Sequence, residues 1–146
     1  MGRGMAAVAD EGRWLATPAG TRAEGLSDRF TAAIEEGHAL WVAEEGSALV
    51  GCLGLHPSRV AGVLELGMWL LPEGRGRGGG RLLVEAALAH AAAGEAHKAE
   101  LEVFPDNGRA ISLYTAMGFE IDGVRRANSR GPHGALRSAV IMSRRA

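Results

Sequence analysis

The sequence predicts one α/β domain of mixed α+β character, with a central mixed, mostly antiparallel twisted sheet flanked by about four helices. Three observations predict it. Apolar residues switch between a helical spacing and the period of two that strands use, so helices and strands are interleaved along the chain. Strand-like runs come in hairpins upstream of Pro57 and downstream of Phe119, which favours antiparallel neighbours. No internal repeat or linker divides residues 1–146, and 47% hydrophobic against 23% charged residues suits a folded domain with a real core.

Each element follows from local signals. "MAAVADEGRWL" reads as a short helix that stops at Gly12, and "TPAGT" is a loop because Pro18 and Gly20 both break regular structure. From Thr21 to Glu36, apolar Ala23, Leu26, Phe30, Ala33 and Ile34 fall at helical spacing, and Gly37 is a natural stop. The period then changes. Ala39 to Glu44 and Ala48 to His56 read as two strands joined by a turn at Glu45-Gly46-Ser47, and "GVLELGMWLLP" as a third strand ended by Pro72. "GRLLVEAALAHAAAGEA" is an Ala/Leu helix with Leu82, Leu83, Ala86, Ala87 and Ala91 on neighbouring turns. "KAELEVF" alternates as a strand, and "DNGRAISLYTAMGF" is a helix capped by Asp106 or Asn107 and stopped by Gly118. Two final strands, "EIDGVRRANS" and "GALRSAVIMSR", flank a "RGPHG" turn.

Composition excludes several classes of function. The net charge is -1, whereas a protein that coats nucleic acid is clearly basic, so no nucleic-acid partner is expected. Charge is uneven, with 5 Arg against 9 Asp/Glu in residues 1–72 and 7 Arg against 3 Asp/Glu in residues 103–146. The basic end is either a solvated face or a lure for an anionic ligand. The single cysteine, Cys52, lies in apolar "ALVGCLGL" and reads as a buried structural thiol. No apolar run approaches a membrane span, and neither a signal peptide nor a myristoylation pattern is present, so the expected location is cytoplasmic with no membrane partner. The five histidines lack ligand spacing, and no metal is expected.

The chemistry concentrates in "LLPEGRGRGGGRLLVEAALAHA", residues 70–91, where five glycines and three arginines fill Gly74 to Arg81. Gly74, Gly76 and Gly79 spell the dinucleotide-binding G-x-G-x-x-G, but so glycine-dense a stretch satisfies many patterns, and hairpins on both sides disagree with a Rossmann alternation. "RGRGGGR" is too short and too tightly clamped for a disordered RNA-binding tract, and aromatics at 5% leave few stacking platforms. No Lys-Ser or Lys-Thr follows, so a Walker A loop fails. A strand running into a glycine turn at a helix N-terminus remains a general cradle for a diphosphate.

The local pattern R-x-x-G-x-G, Arg75 to Gly80, directly after an apolar strand ending in Pro72, resembles the acetyl-CoA loop of the GNAT N-acetyltransferase superfamily. "LEVFPDNGRAISLYTAMGF", Leu101 to Phe119, resembles that family's later block of strand, Asn, helix with Tyr, and Gly-Phe. The two blocks stand in the family's order with the expected helix between them. The resemblance implies a GNAT-like fold over residues 1–146 and acetyl-CoA as cosubstrate, with an amine acceptor and no further cofactor. The strand that the family places ahead of its first helix is not legible here: either it is missing or the start of the chain is placed late. That would leave a sheet edge uncovered and open to pairing as a homodimer.

By the same resemblance, backbone groups of Met68, Trp69 and Leu70 bond the pantetheine arm like an added strand. The amides of Gly76, Arg77, Gly78, Gly79, Gly80 and Arg81 hold the pyrophosphate. Arg75, Arg77 and Arg81 either touch phosphates or face solvent, and Asn107 either contacts the coenzyme or caps its helix. An amine attacking a thioester must shed a proton. Glu102 matches the family's base and Glu65, on the preceding strand, is the rival. Tyr114, the only tyrosine, matches the acid that protonates the departing thiolate, and an amide near Leu70 would meet the oxyanion. The acceptor itself is not legible. Its recognition would fall to "EGRWLATPAGTRAEG" and "RRANSRGPHGALR", and a catalytically idle acyl-CoA sensor is the alternative reading.

Overall fold

The computed structural model describes residues 1–146. The elements are α1 (Gly2–Asp10), α2 (Ala23–Glu35), β1 (Ala39–Glu45), β2 (Ala48–Pro57), β3 (Val63–Leu70), α3 (Gly79–Ala93), β4 (Lys98–Val103), α4 (Gly108–Ala116), β5 (Glu120–Arg130) and β6 (Leu136–Arg145). The strands form one sheet in the order β1-β2-β3-β4-β6-β5. Only β3 and β4 pair in parallel, because α3 connects them as a crossover; every other neighbour is antiparallel. The first element is α1, and β1 is the sheet edge on that side.

Helices cover both faces. On one face α3 lays Leu83, Val84, Ala87 and Ala91 on Leu53, Leu55, Leu66, Leu101 and Met142 of the strands, and Tyr114 and Phe119 join them from α4 and its end. On the other face a smaller cluster of Val8, Cys52 and Trp69 is backed by Met5, Trp14, Leu15 and Phe30 from α1, α2 and their connection. Gly2 is buried where α1 meets α2, and a side chain there would collide with Ser27 and the Ala23 carbonyl. Leu53 is fully buried in the main cluster. Leu53→Ala should therefore cost about 2–5 kcal/mol, read from urea unfolding; a cost below about 1 kcal/mol would mean that the cluster collapses around the gap.

Cys52 is 1% exposed, and burial pushes its thiol up to about 11, so it stays protonated at neutral pH and acts as a packing group. No helix is long and apolar enough to cross a membrane.

Candidate functional site

β3 and β4 pair only from Val63–Lys98 to Leu66–Leu101. Beyond that point β4 stays with β6, through Glu102–Ile141 and Val103–Val140, while β3 stays with β2, through Gly54–Gly67 and Gly51–Leu70. The strands part. From Gly67 to Leu70 the edge of β3 that faced β4 has no strand partner, so its backbone donors and acceptors, apart from the Leu70 carbonyl that accepts from Arg75 Nε, are available to an extended ligand. Ala110, Leu113 and Tyr114 of α4 line the wedge, and the result is a cavity of 540 Å³.

Gly67 stands at the parting. Its φ lies outside the left-handed region and a Cβ there would meet nothing within 4 Å, so neither backbone nor packing calls for glycine. Its missing side chain is open cavity, as expected of a strand glycine where something must approach closely. Trp69, from the same edge, sends its indole under α1 against Gly4, and its Nε1 is buried without a partner.

The glycine stretch follows at once. Pro72–Gly74 forms a single 3-10 turn, Gly76 and Gly78 take positive φ of 72° and 86°, and Gly78 caps α3. This turn leaves the first amides of α3 without intrahelical partners, at the positive end of a helix 15 residues long. Gly80 packs tightly, since a Cβ would lie 3.2 Å from Leu70 Cδ1 and 3.3 Å from Leu113 Cδ2. All three arginines of the stretch are engaged by carboxylates: Arg75 with Glu11, Arg77 with Glu45, and Arg81 with Glu85. The last two pairs are more than half exposed on the arginine side and weakly held, whereas Arg75 is only 20% exposed.

Of the two candidate bases, Glu102 lines the cavity and Glu65 does not. Glu65 pairs across the strands with His56, at 3.3 Å from its Nε2. Glu102 receives Arg125 on one oxygen and Asn128 Nδ2, at 3.3 Å, on the other. Asn128 reaches it because β5 bulges: between the Arg125–Ala139 and Ser129–Arg137 pairs three residues of β5 face one of β6, and Ala127 turns to φ 50° with its N–H donating to Ser138 Oγ. Asn107 caps α4, its Oδ1 accepting from the Ala110 amide at 3.2 Å, and it also lines the cavity. Its Nδ2 is therefore the group left for a ligand.

Tyr114 is 6% exposed and packs its ring against Phe119 at a centroid distance of 5.7 Å. Burial holds its phenol well above the ordinary tyrosine value, so the hydroxyl is a proton donor at neutral pH. Tyr114, Asn107 and Glu102 thus line one cavity with Met68, Trp69 and Leu70.

The wall opposite α4 comes from residues that carry no motif: Arg13, Trp14, Leu15 and Ala16 between α1 and α2. Past Phe104 a second hollow of 190 Å³ continues between this loop and the β5–β6 turn, lined by Gly12, Pro18, Arg130 and Arg137 among others. Both segments are those expected to recognise the acceptor. Arg125 and Asn128 were not legible as partners of Glu102, because they reach β4 across β6, and Asn128 only through the bulge.

A family model described as "Acetyltransferase (GNAT) family" matches residues 9–119. Solved structures with the same fold include a ribosomal-protein-alanine N-acetyltransferase from Brucella melitensis, at 21% identity and a TM-score of 0.86, covering 99% of this chain and 94% of that one. An N-acetyltransferase from Staphylococcus aureus Mu50 follows at 14% identity and 0.87, over 98% and 91% of the two chains. A phosphinothricin acetyltransferase from Sinorhizobium meliloti, solved in complex with AcCoA, matches at 21% and 0.80, over 99% and 84%.

Proposed function

This chain belongs to the GNAT acetyltransferase family, and from that premise we propose that it transfers an acetyl group from acetyl-CoA to a primary amine, on a small molecule or a peptide N-terminus, within a ternary complex. The observation that carries this reading is the parting of β3 from β4 beside a glycine-capped helix N-terminus, with Glu102 and Tyr114 lining the same opening. The open edge from Gly67 to Leu70 suits an amide-bearing thread, and the amides from Gly76 to Arg81 suit two linked phosphates. When bound, acetyl-CoA supplies the thioester carbonyl as electrophile.

The remaining work falls to the chain's own groups. Glu102 accepts the proton that the amine loses as its nitrogen bonds to the carbonyl carbon, directly or through one water. Arg125 and Asn128 hold that carboxylate in place, one on each oxygen. Tyr114 gives its proton to sulfur as the carbon–sulfur bond breaks. The amide near Leu70 faces the oxygen on which charge develops.

The test is a thiol-release assay against a panel of primary amines, run beside calorimetry for acetyl-CoA. Glu102→Gln is expected to lower kcat/KM about 10²-fold, with acetyl-CoA affinity retained. An unchanged kcat/KM would remove Glu102 from the reaction. Binding of acetyl-CoA without turnover of any amine would favour the sensor instead.

A further inference from the structure

The loop between α1 and α2, which forms the acceptor-side wall, is held in place by two arginines from distant parts of the chain. Arg137 of β6 lays its guanidinium over the Phe104 ring at 3.5 Å and donates to the carbonyls of Gly12 (3.4 Å) and Arg13 (2.6 Å). Arg75 works from the other side. Its Nε donates to the Leu70 carbonyl at 3.0 Å, and its two terminal nitrogens donate to the Glu11 carboxylate at 2.9 and 2.6 Å. Glu11 Oε2 in turn accepts from Trp14 Nε1 at 2.9 Å. The chain of contacts runs from the last residue of the open strand edge, through the first arginine of the glycine stretch, to an aromatic side chain of the cavity wall.

This pair differs from the other two arginine pairs of the stretch. Arg75 and Glu11 are 20% and 28% exposed, against 60% and 49% for Arg77–Glu45, so solvent screens it far less. Its geometry is a bidentate fork, which fixes direction as well as distance. The guanidinium uses three of its five N–H groups here, and two stay free to meet an anion on the neighbouring amides. An anion that draws on Arg75 must alter its hold on Glu11, and Glu11 sets the indole of Trp14.

We propose that Arg75 is a positioning residue rather than a plain phosphate ligand: through Glu11 it sets Trp14, so that occupancy of the glycine loop is transmitted to the acceptor-side wall. The inference rests on the reading that this loop takes the coenzyme's pyrophosphate. By linkage the effect is reciprocal, and an acceptor that orders Trp14 tightens the hold on the coenzyme.

The chain has three tryptophans, Trp14, Trp41 and Trp69, so uniformly 15N-labelled protein yields three indole N–H signals, with Trp14 assigned from Trp14→Phe. Titrating wild type with CoA should move the Trp14 and Trp69 signals together. In Glu11→Gln and in Arg75→Gln the Trp69 signal should still move, in Glu11→Gln with a midpoint within about threefold of wild type. The Trp14 signal should then keep less than roughly a quarter of its shift. A Trp14 response that persists in both variants overturns the proposal. So does a loss of CoA affinity of about tenfold or more in Arg75→Gln with Glu11→Gln like wild type, which would make Arg75 a phosphate ligand acting alone. If both glutamine variants unfold, Arg75→Lys decides, since a point charge cannot reach Leu70 and fork onto Glu11 together. A weakened Trp14 response supports the relay and a full one overturns it. Wild type in which no indole responds to CoA would instead sink the coenzyme reading of the loop, and the relay with it.

Discussion

Tyr114→Phe is expected to lower kcat about 10²-fold, equivalent to roughly 2.7 kcal/mol of transition-state stabilisation, while acetyl-CoA affinity and thermal stability stay close to wild type. The expectation follows from how the side chain is divided between packing and chemistry. Its ring belongs to the main hydrophobic cluster beside Phe119 and Val103, and phenylalanine preserves those contacts. Only the hydroxyl is lost. Because burial raises the phenol's pKa, this group holds its proton throughout the ordinary assay range and produces no limb in the pH profile near neutrality. The loss should therefore be uniform between about pH 6 and 9. The comparison is made with kcat at saturating acetyl-CoA and one amine across that range. A variant with unimpaired kcat but collapsed acetyl-CoA affinity would show that Tyr114 only shapes the cleft.

The contrast between Tyr114 and Glu102 also marks what a sequence makes legible. Tyr114 and Asn107 lie on one helix whose cap and stop signals are local, so residue type and spacing place both together. The strand and helix order was legible for the same reason, since each element carries its own period and terminators. Three features of the site have no local cause. The parting of β3 from β4 is a matter of which strand each one follows beyond Leu66 and Leu101, and nothing within either strand encodes it. The bulge that brings Asn128 to Glu102 passes through Ala127 in the left-handed region, where glycine or asparagine would have advertised a turn and alanine does not. The Arg75–Glu11 fork joins residues 64 apart. A motif reading assigns that arginine to the phosphates because the glycines beside it invite an anion, whereas the nearest fixed anion is a carboxylate of the chain itself.

Gly78→Val is expected to weaken acetyl-CoA binding by roughly 5–30-fold, the equivalent of about 1–2 kcal/mol. Gly78 caps α3 at φ 86° and ψ -9°, and this conformation aims the following amides outward from the helix end. A Cβ at this position meets nothing within 4 Å, so valine brings no collision and the cost is conformational alone. A β-branched residue resists the left-handed region most strongly, so the loop relaxes toward negative φ and turns its amides away from their common target. Binding must then restore the strained conformation before the phosphates are held. Gly37 supplies the matched control, with φ 81° and equally open surroundings at the end of α2, remote from the loop. Gly37→Val should lose a comparable amount of stability in urea yet bind acetyl-CoA as wild type does. Calorimetry on the two variants separates backbone strain in general from strain at the cradle. Equal, undiminished affinity in both would mean that the amides after Gly78 hold no part of the coenzyme.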